Sequence, residues 1–142
     1  MPRESIAMRR EEWEDFLAAQ RFVVLGTLEP DGGPWARLAP AALLAGALYF
    51  GVPAGSRDER NLERDPRACC ASDEFPSYYE IRGATVHGRA RRVSDPALAA
   101  RVGPRLDARG LPGWPPGGAL AIWSLPLDDV FSFDFAKIRN RV

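Results

Sequence analysis

At 142 residues, 46% of them hydrophobic, the chain is long enough to bury one ordinary core and too short for two comfortable ones. Its 19 Lys+Arg balance its 19 Asp+Glu, which argues against nucleic acid or a membrane surface as partner. No run of about 18 apolar residues and no signal-like segment occurs, so one soluble, cytoplasmic domain over residues 1–142 is expected.

Residues 5–20 carry a helical pattern. Ser5 is placed to cap, Arg10 and Glu14 are spaced to pair, and Met8, Trp13, Phe16 and Leu17 form a packing stripe. "RFVVLGTL" predicts a strand, and "EPDGG" a turn whose Asp31-Gly32 tolerates positive φ. "PWARLAPAALL" and "ALYFGV", joined through Ala45-Gly46, continue an antiparallel meander.

The segment "GSRDERNLERDPRA" predicts a short helix ending before Pro66. "RACCAS" follows as a strand of small residues, and residues 78–93 as one long strand with bulges or bends expected at Gly83 and Gly88. In that strand Ala84, Val86 and Ala90 share one face, opposite Thr85, His87, Arg89 and Arg91. Asp95 as cap and Pro96 at the first helical position start another helix, which Pro104 interrupts. "LPGWPPGG" is a loop, and "ALAIWSL" and "VFSFDFAKI" are the last strands. In the second of these, Phe131, Phe133 and Phe135 alternate with Ser132 and Asp134. Six or seven mostly antiparallel strands with peripheral helices make a mainly β protein, a small closed or nearly closed barrel.

Two readings of the charged segment stand side by side. Ser56 with Glu59 three residues on is a capping box, worth about 1 kcal/mol, with Leu62 as the buried anchor and the charges solvated. The same helix start, preceded by Gly55, offers amides and a positive dipole end to an anion. Arg57, Arg60 and Arg64, at i, i+3 and i+7, would then line a guanidinium stripe suited to phosphate.

The order of these pieces resembles the FMN-binding split β-barrel superfamily, the pyridoxamine 5'-phosphate oxidase-like proteins. The likeness runs from about Phe16 to Asp95. It rests on "VVLGTLEPDGGPWARLAP", "LYFGVPAGSRDERNLERDPRACC" and "GATVHGRARRVSD", in the family's order. The resemblance implies a split-barrel homodimer with FMN at the subunit interface and a small-molecule substrate. Carried onto this chain, the flavin strand falls on Arg37, Leu38, Ala39 and Pro40, and a second contact on Phe50 and Gly51. The phosphate loop falls on Ser56, Arg57 and Asp58, with Arg60 close by. Asp58 stands where the family has lysine, and an anion beside a phosphate weakens binding by at least about 1.5–3 kcal/mol, one charge-assisted hydrogen bond. The oxidases' C-terminal Arg-and-His substrate motif has no match in "VFSFDFAKIRNRV", so pyridoxamine phosphate oxidation itself is not expected.

No side chain stands out as an acid–base catalyst, which suits a flavin-dependent oxidoreductase whose cofactor carries the chemistry. The alternative is a dimeric split-barrel protein that binds flavin, deazaflavin or haem as sensor or carrier, or has lost its ligand. His87, the single histidine, is read as structural or exposed rather than a haem ligand. Arg82, Arg89, Arg91 and Arg92 are read as a solvated strand or a dimer contact. Trp114 is either a lid over a ring system or a pin for its loop. Cys69 and Cys70 are expected as reduced structural thiols, because neighbours rarely bridge and two thiols make no zinc site.

Overall fold

Eight strands form among the described residues, 6–112, 114 and 118–139, of the computed structural model. Helix α1, Arg10–Ala18, starts later than the pattern predicts, and Ser5 lies outside the described residues. Arg9 takes the N-cap instead. Glu12 accepts both its amide at 3.1 Å and its Nε at 2.8 Å. The Arg10–Glu14 pair forms at 2.8 Å, and Trp13, Phe16 and Leu17 are buried with Met8, just ahead of the helix.

Strands β1 (Phe22–Leu28), β2 (Pro34–Leu44) and β3 (Ala47–Pro53) make the expected meander. The β2–β3 turn places Ala45 at φ 49° and Gly46 at φ 80°, the pair of left-handed residues that a two-residue hairpin with matching twist requires. Helix α2, Arg57–Arg64, and strand β4, Arg67–Glu74, follow.

The long strand expected over residues 78–93 is broken. Tyr78–Glu80 is a 3-10 turn, β5 covers Arg82–Arg89, and β6 is only Arg91–Arg92. Gly83 and Gly88 do not mark bulges, since β5 pairs with β4 without interruption from Arg89 opposite Arg67 to Arg82 opposite Glu74. Gly83 answers crowding: a Cβ there would lie 2.9 Å from the Ser72 carbonyl oxygen. The bend falls at Ala90, whose amide bonds to the Pro66 carbonyl at 2.8 Å while Arg91 and Arg92 turn to pair with another strand.

Helix α3, Pro96–Val102, begins with Asp95 accepting the Ala97 amide at 3.0 Å, and Pro104 sits in the 3-10 turn that follows. Strands β7 (Leu120–Pro126) and β8 (Val130–Asp134) and helix α4 (Ala136–Arg139) complete the chain. In β8 the alternation holds with Ser132 inward. Its hydroxyl accepts the Met8 amide at 3.0 Å, while Phe131 and Phe133 stay half-buried on the other side.

The strand order is β6-β7-β3-β2-β1-β4-β5-β8, all neighbours antiparallel. Ala90 alone separates β5 from β6, yet these strands lie near opposite ends of that order. One residue spans only about 3.8 Å, so the sheet must curl back on itself. The fold is a mainly β split barrel. Leu25, Phe50, Val52, Val86 and Leu125 fill its interior, each fully buried. Outside, Val102 and Leu106 cover Ala42, Tyr49 and Ile122. No helix among the described residues is long and apolar enough to cross a membrane.

Candidate functional site

Helix α2 buries an unusual face: Asp58, Glu59, Asn61 and Leu62 are all inside. Buried polar groups require partners, and each polar one here has them. Asp58 is fully buried. Its Oδ1 accepts the Trp35 Nε1 proton at 3.0 Å, and its Oδ2 lies 2.5 Å from Arg37 Nε, an ion pair off the hydrogen-bond line. Glu59 Oε1 accepts the Gly55 amide at 3.2 Å. Its Oε2 accepts Trp123 Nε1 at 2.9 Å and lies 3.5 Å from Arg92 Nη1. Asn61 Nδ2 donates to Thr27 Oγ1 at 3.1 Å. Helix α2 is thereby tied to β1, β2, β6 and β7.

The start of α2 has the cap that its sequence predicts. Ser56 Oγ accepts the Glu59 amide at 3.4 Å, and Glu59 reaches back to Gly55 rather than to Ser56 itself. The arginines of the stripe are exposed, and each one has internal acceptors. Arg57 stacks on the Trp35 ring at 3.9 Å and pairs with Glu29, whose carboxyl it holds below the usual carboxylate range. Arg60 donates to the Gly55 carbonyl at 3.2 Å. Arg64 donates to the Leu28 carbonyl and, at 3.2 Å, to Asn61 Oδ1.

Along β2 the expected flavin strand presents mostly backbone. Arg37 turns to Asp58, Ala39 and Pro40 are buried, and the Leu38 carbonyl accepts Trp114 Nε1 at 3.0 Å. The Trp114 ring lies 5.9 Å from the Arg37 guanidinium, so Trp114 pins its loop to β2; Gly113 and residues 115–117 lie outside the described residues. Phe50, opposite Ala41, belongs to the core. At Gly51 a Cβ would come within 2.7 Å of Leu120, so that side of β3 is already filled. The structure thus gathers Arg37, Ser56, Arg57, Asp58 and Arg60 around one helix start and leaves Phe50 and Gly51 in the neighbouring strand. Sequence reasoning missed Trp35, Glu29, Glu59's link to Trp123, and Arg92. A signal was present, because a buried indole N–H requires an acceptor.

One outer face of the sheet has an apolar centre, bounded by Arg67, Asp73 and Arg89, and is partly exposed among the described residues. Register places Leu38, Val24, Ala71, Thr85 and Phe131 directly opposite one another across five strands, so they project to the same side. A second row holds Ala36, Gly26, Cys69 and His87. Val24 is 43% exposed and Phe22, at the next position on that face, 42%. Beside the second row lies a cleft of about 260 Å³, lined by Gly26, Leu28, Pro34, Arg67, Cys69 and His87 among others. His87 is exposed there. Cys70 is a buried free thiol whose ionisation burial pushes well above the ordinary range.

The family model described as pyridoxamine 5'-phosphate oxidase matches residues 10–140. The chain belongs to that family. It is 34% identical over 133 residues to the pyridoxine/pyridoxamine 5'-phosphate oxidase of Thermobifida fusca, covering 91% of this chain and 56% of that one. The chain therefore spans little more than half the length of that curated relative. Among solved structures, a conserved hypothetical protein of Mycobacterium tuberculosis superposes with TM-score 0.83 at 25% identity, covering 98% and 92% of the two chains. A FAD-binding protein of Mesorhizobium loti superposes with TM-score 0.70 at 20% identity, covering 89% and 94%. Flavin binding therefore occurs on this fold.

Tested against a flavin, the two halves of the site differ. The two rows of the outer face, apolar but for Thr85, Cys69 and His87, offer a flat surface to a ring system. The start of α2 is no ready phosphate grip at Arg37 and Arg57, which already hold carboxylates, while Arg60 and Arg64 hold only carbonyl oxygens.

Proposed function

We propose that this family member is a homodimeric flavin-binding oxidoreductase acting on a small molecule, with FMN as its flavin. The apolar outer face carries the reading. A face with Val24 and Phe22 nearly half exposed, continuous with Phe131, requires cover, and a second copy supplies the same apolar centre. The cleft of about 260 Å³ is smaller than the roughly 300–1,000 Å³ of ordinary small-molecule sites. A partner subunit would enlarge and enclose it.

In that assembly the β2 main chain at Leu38 to Pro40 and the Gly26–Cys69 surface would flank the ring, and the second copy would exclude water. The bound flavin would supply the electron-transfer chemistry, and the chain its orientation and electrostatic setting. The match to a pyridoxine/pyridoxamine 5'-phosphate oxidase does not extend the reading to that substrate, since the chain spans little more than half of that relative's length.

Titration of FMN with the purified protein, followed by flavin fluorescence, tests the proposal. Quenching at one flavin per subunit, in a protein that sediments as a dimer, is the expected result. Full fluorescence at all protein concentrations would overturn it. Reduction of the bound flavin by a nicotinamide cofactor then separates an enzyme from a sensor or carrier.

A further inference from the structure

We infer that Asp58 is an internal substitute for a ligand phosphate, so that flavin is selected by its ring and ribityl chain and not by its phosphate. This inference rests on the proposed flavin site.

Asp58 is fully buried, whereas a first-turn aspartate is ordinarily solvated, and its carboxylate points away from the helix axis to Arg37 and Trp35. Both of its oxygens are occupied. Arg37, itself only 19% exposed, also lies 5.9 Å from the Trp114 ring. Arg37 faces Asp58 through Nε, so a phosphate drawn to its remaining N–H donors would sit beside a buried carboxylate, an unfavourable approach of like charges. Arg57 presents the same situation with Glu29, its guanidinium also stacked on Trp35. The helix start has its cap, and Glu59 adds a second carboxylate at the Gly55 amide. An arriving dianion thus meets two guanidinium groups, Arg37 and Arg57, already paired with carboxylates, while Arg60 and Arg64 hold only carbonyl oxygens. Nothing comparable opposes a neutral ring on the uncharged face formed by Leu38, Val24 and Ala36.

The test compares riboflavin with FMN on the full-length wild-type protein, by fluorescence titration at fixed salt. One charge-assisted phosphate hydrogen bond would favour FMN by roughly 10- to 100-fold. The expected result is dissociation constants within about threefold of each other, consistent with a phosphate that contributes less than one such bond. FMN binding tenfold or more tighter than riboflavin would overturn the inference and leave the flavin reading standing. Failure of both ligands to bind would overturn both. Asp58→Asn supplies the second arm, because it removes the internal anion and keeps the Trp35 contact. FMN should then gain over riboflavin by at least threefold, and an unchanged ratio in a folded variant would count against Asp58 as the selecting residue.

Discussion

Trp35 shows how one side chain can hold two charges in place. Its indole N–H bonds Asp58 at 3.0 Å while its ring carries the Arg57 guanidinium at 3.9 Å. Trp35→Phe keeps the ring and removes the donor, leaving one buried carboxylate oxygen short of a partner. The expected loss is about 1–3 kcal/mol, read from the urea midpoint. Asp58→Ala strands Arg37 instead, and breaking one side of a buried pair costs about 3–5 kcal/mol. The order of the two losses is the test. If Asp58→Ala is the milder change, the Arg37–Asp58 pair is not what holds this end of α2. Asp58 was singled out from sequence as an anion in a phosphate loop. Its partners were not legible, because Trp35 and Arg37 lie more than twenty positions earlier and only the β2–α2 packing brings them close.

At the level of elements, α2 is the most informative. Its eight residues include a single apolar one, Leu62, which is 1% exposed and docks into the core. Propensity alone would leave so short a helix marginal in water, so tertiary anchoring has to hold it. Leu62→Ala should cost about 2–5 kcal/mol in a urea melt, against a change within about 0.5 kcal/mol for exposed Glu63→Ala. Similar midpoints for the two variants would show that the polar tethers alone seat the helix. The boundaries of α2 and α3 were legible because Ser56, Asp95, Pro96 and Pro66 act locally. The break in the long strand was not. Residues 82–92 alternate almost uniformly, and the choice to leave β4 for β7 at Ala90 is made by the strands on either side.

Across the whole molecule, the N-terminal and C-terminal segments meet through Glu12, which bonds Lys137 at 3.1 Å and Arg9 at 2.8 Å. Lys137 is the first cause and Arg9 the second of a Glu12 pKa lowered from 4.5 to about 2. The folded value lies below the unfolded one, so the stabilisation is fully present above pH 4.5. It is lost as pH falls through about 2. Thermal melts between those limits should show Tm falling with pH, more steeply in the wild type than in Glu12→Gln. Parallel slopes would remove Glu12 from the acid-labile contacts. The apolar rows from Leu38 to Phe131 also belong to this scale, since they exist only after five strands align. Read as sequence, Phe131 and Phe133 promised a half-buried strand, and register alone decided that Ser132 would take the inner side.

Local chemistry by itself determined the class of this protein. Alternation, turn residues and caps act within a few positions, so the meander, both helix starts and the family pattern could be read directly. Tertiary structure decided how the charged segment packs. The same Ser-Arg-Asp-Glu run satisfies a capped helix and an anion site equally well in one dimension. The difference lies in where Asp58 points, and burial against Arg37 and Trp35 makes it a tie between α2 and β2.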